Sequence, residues 1–328
     1  MGKETISICA LLLLGACVTE TATDGTDFES EIEDLAEDEA EVSSEVIWQA
    51  LELSPAEAIA FRGGATAASL NLGTSVRTVT GGIAISHCVK GTCPAGTPPG
   101  NQLISREIYA LSNNGETKFA DWVAYRPTRE SIETSSGLGR GWKRDPLLDK
   151  SVTLEPNPDD YKGANRALGV ERGHLAPLTL FAGTEYWRTT NYYSNIVPMQ
   201  GAMNRGPWEN LEAAEKQAAY DFREVFVLTG PLYEIDMTCE PALPAAERAG
   251  CLPNADENHQ VPSGYWKVVT NKTGSKKAAF IIPQTAGSRQ SHCEFGSSVD
   301  EIEARTGLTL FPGLTWSRER SFYNELGC

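Results

Sequence analysis

The chain has 328 residues, 41% hydrophobic and 22% charged. That is enough apolar material for a substantial core, so global disorder is excluded, and the length suits one large domain or two ordinary ones. The 28 Lys and Arg against 44 Asp and Glu give a formal charge of −16, which on its face argues against a protein that grips nucleic acid over a broad basic surface. The acidic excess is localised, however. Val18 to Phe61 holds 14 acidic residues and no basic one, while residues 62–328 carry 27 basic and 29 acidic groups, a net of −2.

Residues 1–16 read as an export signal. Lys3 is a thin positive start, partly cancelled by Glu4, and Thr5–Leu14 is an apolar run too short to span a bilayer, which takes about 20 apolar residues. The run ends in Leu14-Gly15-Ala16-Cys17, the pattern of a bacterial lipoprotein signal whose cysteine is acylated. The alternative is an ordinary signal peptide cut nearby, with Cys17 incidental. Residues 17–62 follow as an acidic disordered linker: like charges repel, and few large apolar side chains are present to offset the ordering entropy. Within it, Val46–Phe61 has near-helical apolar spacing around Pro55 and reads as a docking helix or as the start of the folded unit. A nucleic-acid mimic is conceivable for this tail, but a solvated tether is the favoured reading. The expected location is outside the cytoplasm, as an outer-membrane lipoprotein or a secreted or periplasmic protein, with a lipid on Cys17 as the membrane contact.

Beyond the signal lie Cys88, Cys93, Cys239, Cys251, Cys293 and Cys328. An even number in an exported chain points to three disulfides, for which sequence allows 15 connectivities. Local spacing suggests Cys88–Cys93, Cys239–Cys251 and Cys293–Cys328. A zinc site is a poor reading, because no CxxC pair exists and His87, His174, His259 and His292 are not at ligand spacing around the cysteines.

Residues 63–328 read as one domain, with no internal repeat. Leu103–Leu111 and Thr117–Tyr125 alternate as strands and flank an Asn-Gly turn at Ser112–Glu116. Pro207–Arg223 reads as a helix with Pro in its first turn and an inward stripe of Trp208, Leu211, Ala218 and Phe222. Val225–Thr229 is a strand ending at Gly230-Pro231, and Tyr265–Thr270 with Lys277–Ile282 forms a second hairpin. Ser298–Thr306 is a helix with Ser298 and Glu301 in capping-box positions. Antiparallel hairpins with helices laid against them give an α+β fold, a central antiparallel sheet flanked by helices.

The chemistry concentrates in Glu171–Glu212, ERGHLAPLTLFAGTEYWRTTNYYSNIVPMQGAMNRGPWENLE. Arg172-Gly173-His174 is followed by Asn204 just ahead of a helix. Together with KFADWVAYRP, RGWKRDPLL from Arg140, DDYKGAN and EIEARTGLTLFPGL, this resembles the DNA/RNA non-specific endonuclease family, the sugar-nonspecific ββα-metal (His-Me finger) nucleases that include secreted bacterial nucleases and endonuclease G. The resemblance spans essentially residues 80–328. It implies a ββα-metal motif, with His174 as general base and Asn204 as ligand of a Mg²⁺ for which Mn²⁺ could substitute. An imidazole near pKa 6.5 suits proton abstraction at neutral pH, and one carboxamide oxygen suits an ion that keeps most of its waters. Glu212 is implied to anchor water around the metal, Arg140 and Arg172 to hold the scissile phosphate, and Asn195 to play a supporting part.

The family has Asp where Glu171 stands; the added methylene lengthens the side chain by about 1.5 Å. The change reads as tolerated, because this residue is neither the implied base nor the implied ligand. Taken singly, His174 would be a hydrogen-bonded structural histidine, Asn204 a helix cap, Arg140 a surface loop residue and Glu212 a solvated glutamate. The resemblance implies an exported enzyme that hydrolyses DNA and RNA to 5′-phosphorylated oligonucleotides. The alternatives are a catalytically silent, surface-anchored binding protein on a nuclease scaffold, or a phosphodiesterase acting on a small substrate. Strand preference, oligomeric state and the identity of any inhibitor protein are not encoded in these motifs.

Overall fold

The computed structural model describes residues 76–79, 82–132, 138–235, 237–244, 247, 250–316 and 320–328. The export signal of residues 1–16, Cys17 and the acidic stretch of residues 17–62 lie outside the described residues.

A hairpin of β1 (Val76–Val79) and β2 (Gly82–Ile85) precedes β3 (Gln102–Ser105), β4 (Tyr109–Asn114) and β5 (Phe119–Tyr125). The short helix α1 (Ala164–Leu168) leads into a separate antiparallel ribbon of β6 (Val170–His174) and β7 (Ile196–Gln200). Helix α2 (Glu209–Phe222) follows, then β8 (Phe226–Leu232) and the short pair β9 (Thr238–Cys239) and β10 (His259–Gln260). The chain closes with β11 (Gly264–Thr270), β12 (Lys276–Pro283), β13 (Gly296–Ser297), helix α3 (Val299–Thr306) and β14 (Arg320–Ser321). The main sheet has eight strands in the order β13-β12-β11-β8-β5-β4-β3, with β14 added beside β12. Its pairs are antiparallel except β12 with β14. The α+β architecture expected from the sequence is therefore present.

Alternation along the strands sorts the apolar side chains into two layers. On one face Leu111, Val123, Tyr125, Val227, Tyr265 and Phe280 pack with Trp208 and with Leu211 and Ala218 of α2. On the other, Ala110, Trp122, Ala124, Leu228, Trp266 and Val268 pack with Ile302 of α3 and with Leu308 and Leu310. The first layer also holds Val170, Ile196, Val197 and Met199, so the β6–β7 ribbon is laid on the same face as α2. All three disulfides form between the pairs that local spacing suggested.

Several boundaries differ from the sequence reading, each for a physical reason. The segment Leu103–Leu111 is two antiparallel strands, not one, turning at residues 106–108. Arg106 makes the turn: its N–H donates to Tyr109 O at 2.8 Å, and its guanidinium pairs with the buried Asp145 and lies 4.6 Å from the Tyr192 ring centroid. Asn113 and Asn114 belong to β4, and the turn falls at residues 115–118, where Asn114 Oδ1 accepts from the Glu116 N–H at 3.0 Å. Strand β8 continues through Gly230-Pro231 to Leu232. At α3 the Ser298 hydroxyl accepts from Glu301 N at 3.1 Å, but the Glu301 carboxylate takes the Ser297 hydroxyl at 2.6 Å, so only half of the expected capping box forms. A complete box instead joins Ser291 and Glu294.

The layer that carries the ribbon also encloses an ion pair. Lys267 of β11 and Glu215 of α2 are fully buried, with Nζ 2.8 Å from Oε1. Nζ lies off the direction of a hydrogen bond, so attraction between the charges and the Trp208 ring, 4.1 Å away, hold the ammonium there. Tyr125 donates its hydroxyl to Glu215 Oε2 at 2.7 Å. Lys267→Met, which strands the Glu215 charge, is expected to cost about 3–5 kcal/mol in urea unfolding, whereas Lys267→Met with Glu215→Leu recovers more than half of that loss. Equal losses in the single and double variants would show that the pair is not the source.

Candidate active site

Ribbon β6–β7 and helix α2 form a ββα unit, and the residues singled out from the sequence are distributed along it. Strand pairing sets Gly173 opposite Val197 and His174 opposite Ile196. A Cβ at position 173 would run into the Met199 side chain, so the glycine permits the close approach of the two strands. The ribbon is fixed to the main sheet at Pro198, whose carbonyl accepts from Tyr265 Oη and Gln284 Nε2, each at 2.7 Å.

His174 ends β6 and is 9% exposed. Its Nε2 lies 3.0 Å from Asn191 Oδ1, and its ring centroid lies 5.5 Å from that of Trp142. With Oδ1 as acceptor, the ring proton sits on Nε2 and the lone pair is on Nδ1, the atom free to take a proton. Burial lowers the imidazole pKa to about 4, and the Arg140 charge adds to the effect while the Asn191 hydrogen bond opposes it. The ring is therefore a neutral base at pH 7. Arg140 itself is exposed, and it acts on the site through this charge on His174.

Arg172, two residues before His174 in the strand, shares its face. Its guanidinium lies 5.4 Å from the Trp142 ring centroid and 5.3 Å from that of Tyr161. Nη2 pairs with Asp159, and Nε donates to Tyr193 Oη at 3.1 Å, while that hydroxyl donates to Asp159 Oδ1 at 2.8 Å. The fork is thus oriented by its own neighbours before any ligand arrives, and Nη1 is the nitrogen left for an incoming oxygen.

Glu171 points the other way, to the chain entering α2. Its Oε2 accepts from Asn204 Nδ2 at 2.9 Å, and its Oε1 pairs with Arg205. Because the carboxylate takes the amide nitrogen, Asn204 is held with Oδ1 as the atom available to a cation. The acid that departs from the family pattern therefore touches the implied ligand directly.

Asn204–Trp208 forms a wide π turn, so α2 starts at Glu209 and not at Pro207 as expected. Pro207 has no N–H to give a regular helix, and Gly206 adopts φ −116° and ψ −112°. A Cβ on Gly206 would stand 2.7 Å from Ser288 Cα, so only glycine lets this turn pack on the 288 backbone. Trp208 closes the unit by donating Nε1 to His174 O at 3.3 Å. One turn on, Glu212 is half-buried, and its pKa is raised to about 8 by burial, against the pull of Lys267 and with the push of Glu215.

Asn195 bonds to backbone and not to any of these side chains. It is fully buried, accepts from Ala176 N at 2.8 Å and donates to Ala176 O and Thr190 O at 2.9 and 2.8 Å, tying the 175–195 connection together. Two residues absent from the sequence reading enter: Asn191, which sets the His174 tautomer, and Asp159, which holds Arg172. Both lie inside stretches already quoted, Asn191 within Glu171–Glu212 and Asp159 at the start of DDYKGAN, but the role of each follows only from its partner 17 or 13 residues away.

Comparison with known proteins identifies the family and supports the fold. Residues 92–316 match the profile of the DNA/RNA non-specific endonuclease family. The chain belongs to that family. It is 42% identical over 248 residues to a nuclease of Serratia marcescens, covering 74% of this chain and 86% of that protein. Human mitochondrial endonuclease G is 28% identical over 235 residues, covering 67% and 72% respectively. A solved EndoG/EndoGI complex, in which EndoG is inhibited, superposes with a TM-score of 0.52 at 20% identity over 67% of this chain and 89% of that one, which bears out the fold. The chain is accordingly a nucleic-acid hydrolase with non-specific DNA/RNA endonuclease function.

Asn191→Ala is expected to lower kcat on plasmid DNA by about 10²-fold with little change in KM, because His174 loses its orientation and not its contact with substrate. Unchanged kcat would remove Asn191 from the machinery.

Proposed function

We propose that the chain is an exported, Mg²⁺-dependent endonuclease that cuts DNA and RNA to 5′-phosphorylated products, with His174 as general base and Asn204 as metal ligand. The observation that carries the reading is the Asn204 carboxamide, turned by Glu171 so that its oxygen is presented while a neutral imidazole with a free Nδ1 stands in the same ββα unit. A single neutral oxygen donor fits Mg²⁺, which keeps several waters and binds through few protein ligands, and Mn²⁺ takes similar donors.

In this reading His174 Nδ1 takes a proton from water, which attacks phosphorus in line. Burial keeps the ring uncharged, so the accepting lone pair is present throughout the neutral range. The free edge of Arg172, together with the charge of Arg140 that reaches His174, offsets the negative charge that builds on the phosphate oxygens. The bound cation would supply further charge stabilisation at the leaving oxygen. With its pKa raised to about 8, the Glu212 carboxyl is mostly protonated at pH 7 in the metal-free chain; a divalent cation beside Asn204 would favour its carboxylate form, which accepts hydrogen bonds from water held there. Contacts of these kinds go to phosphate and sugar, which accounts for the lack of base preference.

Export belongs to the same proposal. Residues 1–16 have the form of a signal, Cys17 has that of a lipidation site, residues 17–62 would be the tether and residues 63–328 the endonuclease domain. The three disulfides of the folded part favour an oxidising compartment.

Plasmid digestion tests the catalytic part. Activity is expected to vanish with chelator, return with Mg²⁺ or Mn²⁺, and fall by about 10²–10⁴-fold in His174→Ala. Wild type and His174→Ala being equally active, or digestion undiminished by chelator, would refute the assignment.

A further inference from the structure

A second group of acids includes none of the residues given a role in the reaction above. One carboxylate oxygen each from Asp160, Asp256 and Glu257 lie within 4.8 Å of one another. Asp160 is fully buried. Its Oδ2 accepts from the Glu155 N–H at 2.5 Å, while its Oδ1 is buried without a hydrogen-bond partner. Glu257 Oε2 is likewise buried and unpartnered. Burying a carboxylate oxygen with nothing to donate to it is costly, and facing it with other carboxylates adds repulsion. The nearby Lys118 ammonium gives its hydrogen bonds to Gly115 O and Ser151 O, at 2.6 and 2.7 Å, and not to these carboxylates. Carboxylate oxygens so arranged call for either shared protons or a metal ion.

We propose that Asp160, Asp256 and Glu257 form a Ca²⁺ site separate from the catalytic centre. Ca²⁺ binds oxygens at about 2.3–2.6 Å, so oxygens within 4.8 Å of one another are close enough to share one ion, and it accepts several carboxylates at once in irregular geometry. Mg²⁺ takes one or two carboxylates and retains its waters, which suits Asn204 better than this cluster. The location gives the ion a structural task. Asp160 lies on the 155–161 turn, and Asp256 and Glu257 lie on the segment that follows the Cys239–Cys251 disulfide. The two segments already touch through Asn254 Nδ2, which donates to Asp159 O at 2.8 Å. Asp159 is the residue that holds Arg172. An ion here ties the two segments together and steadies the support of Arg172 from behind.

Calorimetric melting of the full chain in calcium-free buffer, with and without added CaCl₂, tests this. Asn204→Ala removes the catalytic ligand, and Asp256→Asn with Glu257→Gln removes two donors outside the deepest core. At 100-fold excess over Kd, Ca²⁺ is expected to raise Tm by about 5 °C or more in wild type and in Asn204→Ala, and by less than about 1 °C in the double variant. Isothermal titration of Asn204→Ala should show one Ca²⁺ bound per chain, a readout that does not depend on the double variant folding. No Ca²⁺ effect on wild type, a rise that survives in the double variant, or a response abolished by Asn204→Ala would each overturn the site. The proposal stands or falls independently of the nuclease mechanism, because its readouts require no turnover.

Discussion

One carboxylate joins the two halves of the active unit. Glu171 at the start of β6 receives Asn204 and Arg205, which lie 33 and 34 residues further along the chain. A primary amide can present either its oxygen or its nitrogen, and an unrestrained asparagine ahead of a helix would normally turn its oxygen back to cap the helix. The acid takes the nitrogen and leaves the oxygen outward. The rest of the site depends on that choice, since an amide turned the other way has no lone pair for a cation. The longer side chain in place of the family's aspartate does not break the contact; at this position glutamate reaches both partners at once.

The fold serves this contact by holding strand, ribbon and helix rigidly. The main sheet supplies an apolar layer on which β6–β7 and α2 rest, and the Pro198 carbonyl takes two hydrogen bonds from the sheet side. Trp208 then stitches helix to ribbon through the His174 carbonyl, with the Lys267 ammonium beneath its ring. Behind Arg172 stands a different support, the Asp159–Tyr193 pair, carried by a turn rich in buried acids. The proposed base, ligand and phosphate-binding arginine are positioned by neighbours that partly overlap: Trp142 faces both His174 and Arg172, and Asn191 and Tyr193, which hold one each, lie two residues apart, while Asn204 is held by Glu171.

Much of this was legible before the structure. The Asn-Gly turn and the Asn271–Ser275 turn marked both hairpins, because the residues that allow tight reversal are written locally. The motif residues His174 and Asn204 could be named because several short segments appear in family order, not because either is distinctive alone. What the sequence could not show depends on partners distant along the chain. Arg106 sits inside an alternating run and looks like part of a strand; its partner Asp145 lies 39 residues on, and that pairing makes the turn. The helix beginning at Pro207 was placed two residues early because proline commonly opens a helix, whereas here the π turn around Gly206 answers to the backbone of Ser288. Asn191 was passed over beside Asn195 for the same reason: one asparagine faces the base and the other the scaffold, and nothing in YWRTTNYYSN separates them.

The most direct test is the position of the cation itself. In crystals soaked with Mn²⁺, the anomalous signal should fall against Asn204 Oδ1, with Nδ2 still donating to Glu171 and the His174 ring facing the cleft through Nδ1. A manganese peak bound elsewhere in the unit, or an Asn204 amide turned with its nitrogen toward the ion, would contradict the account.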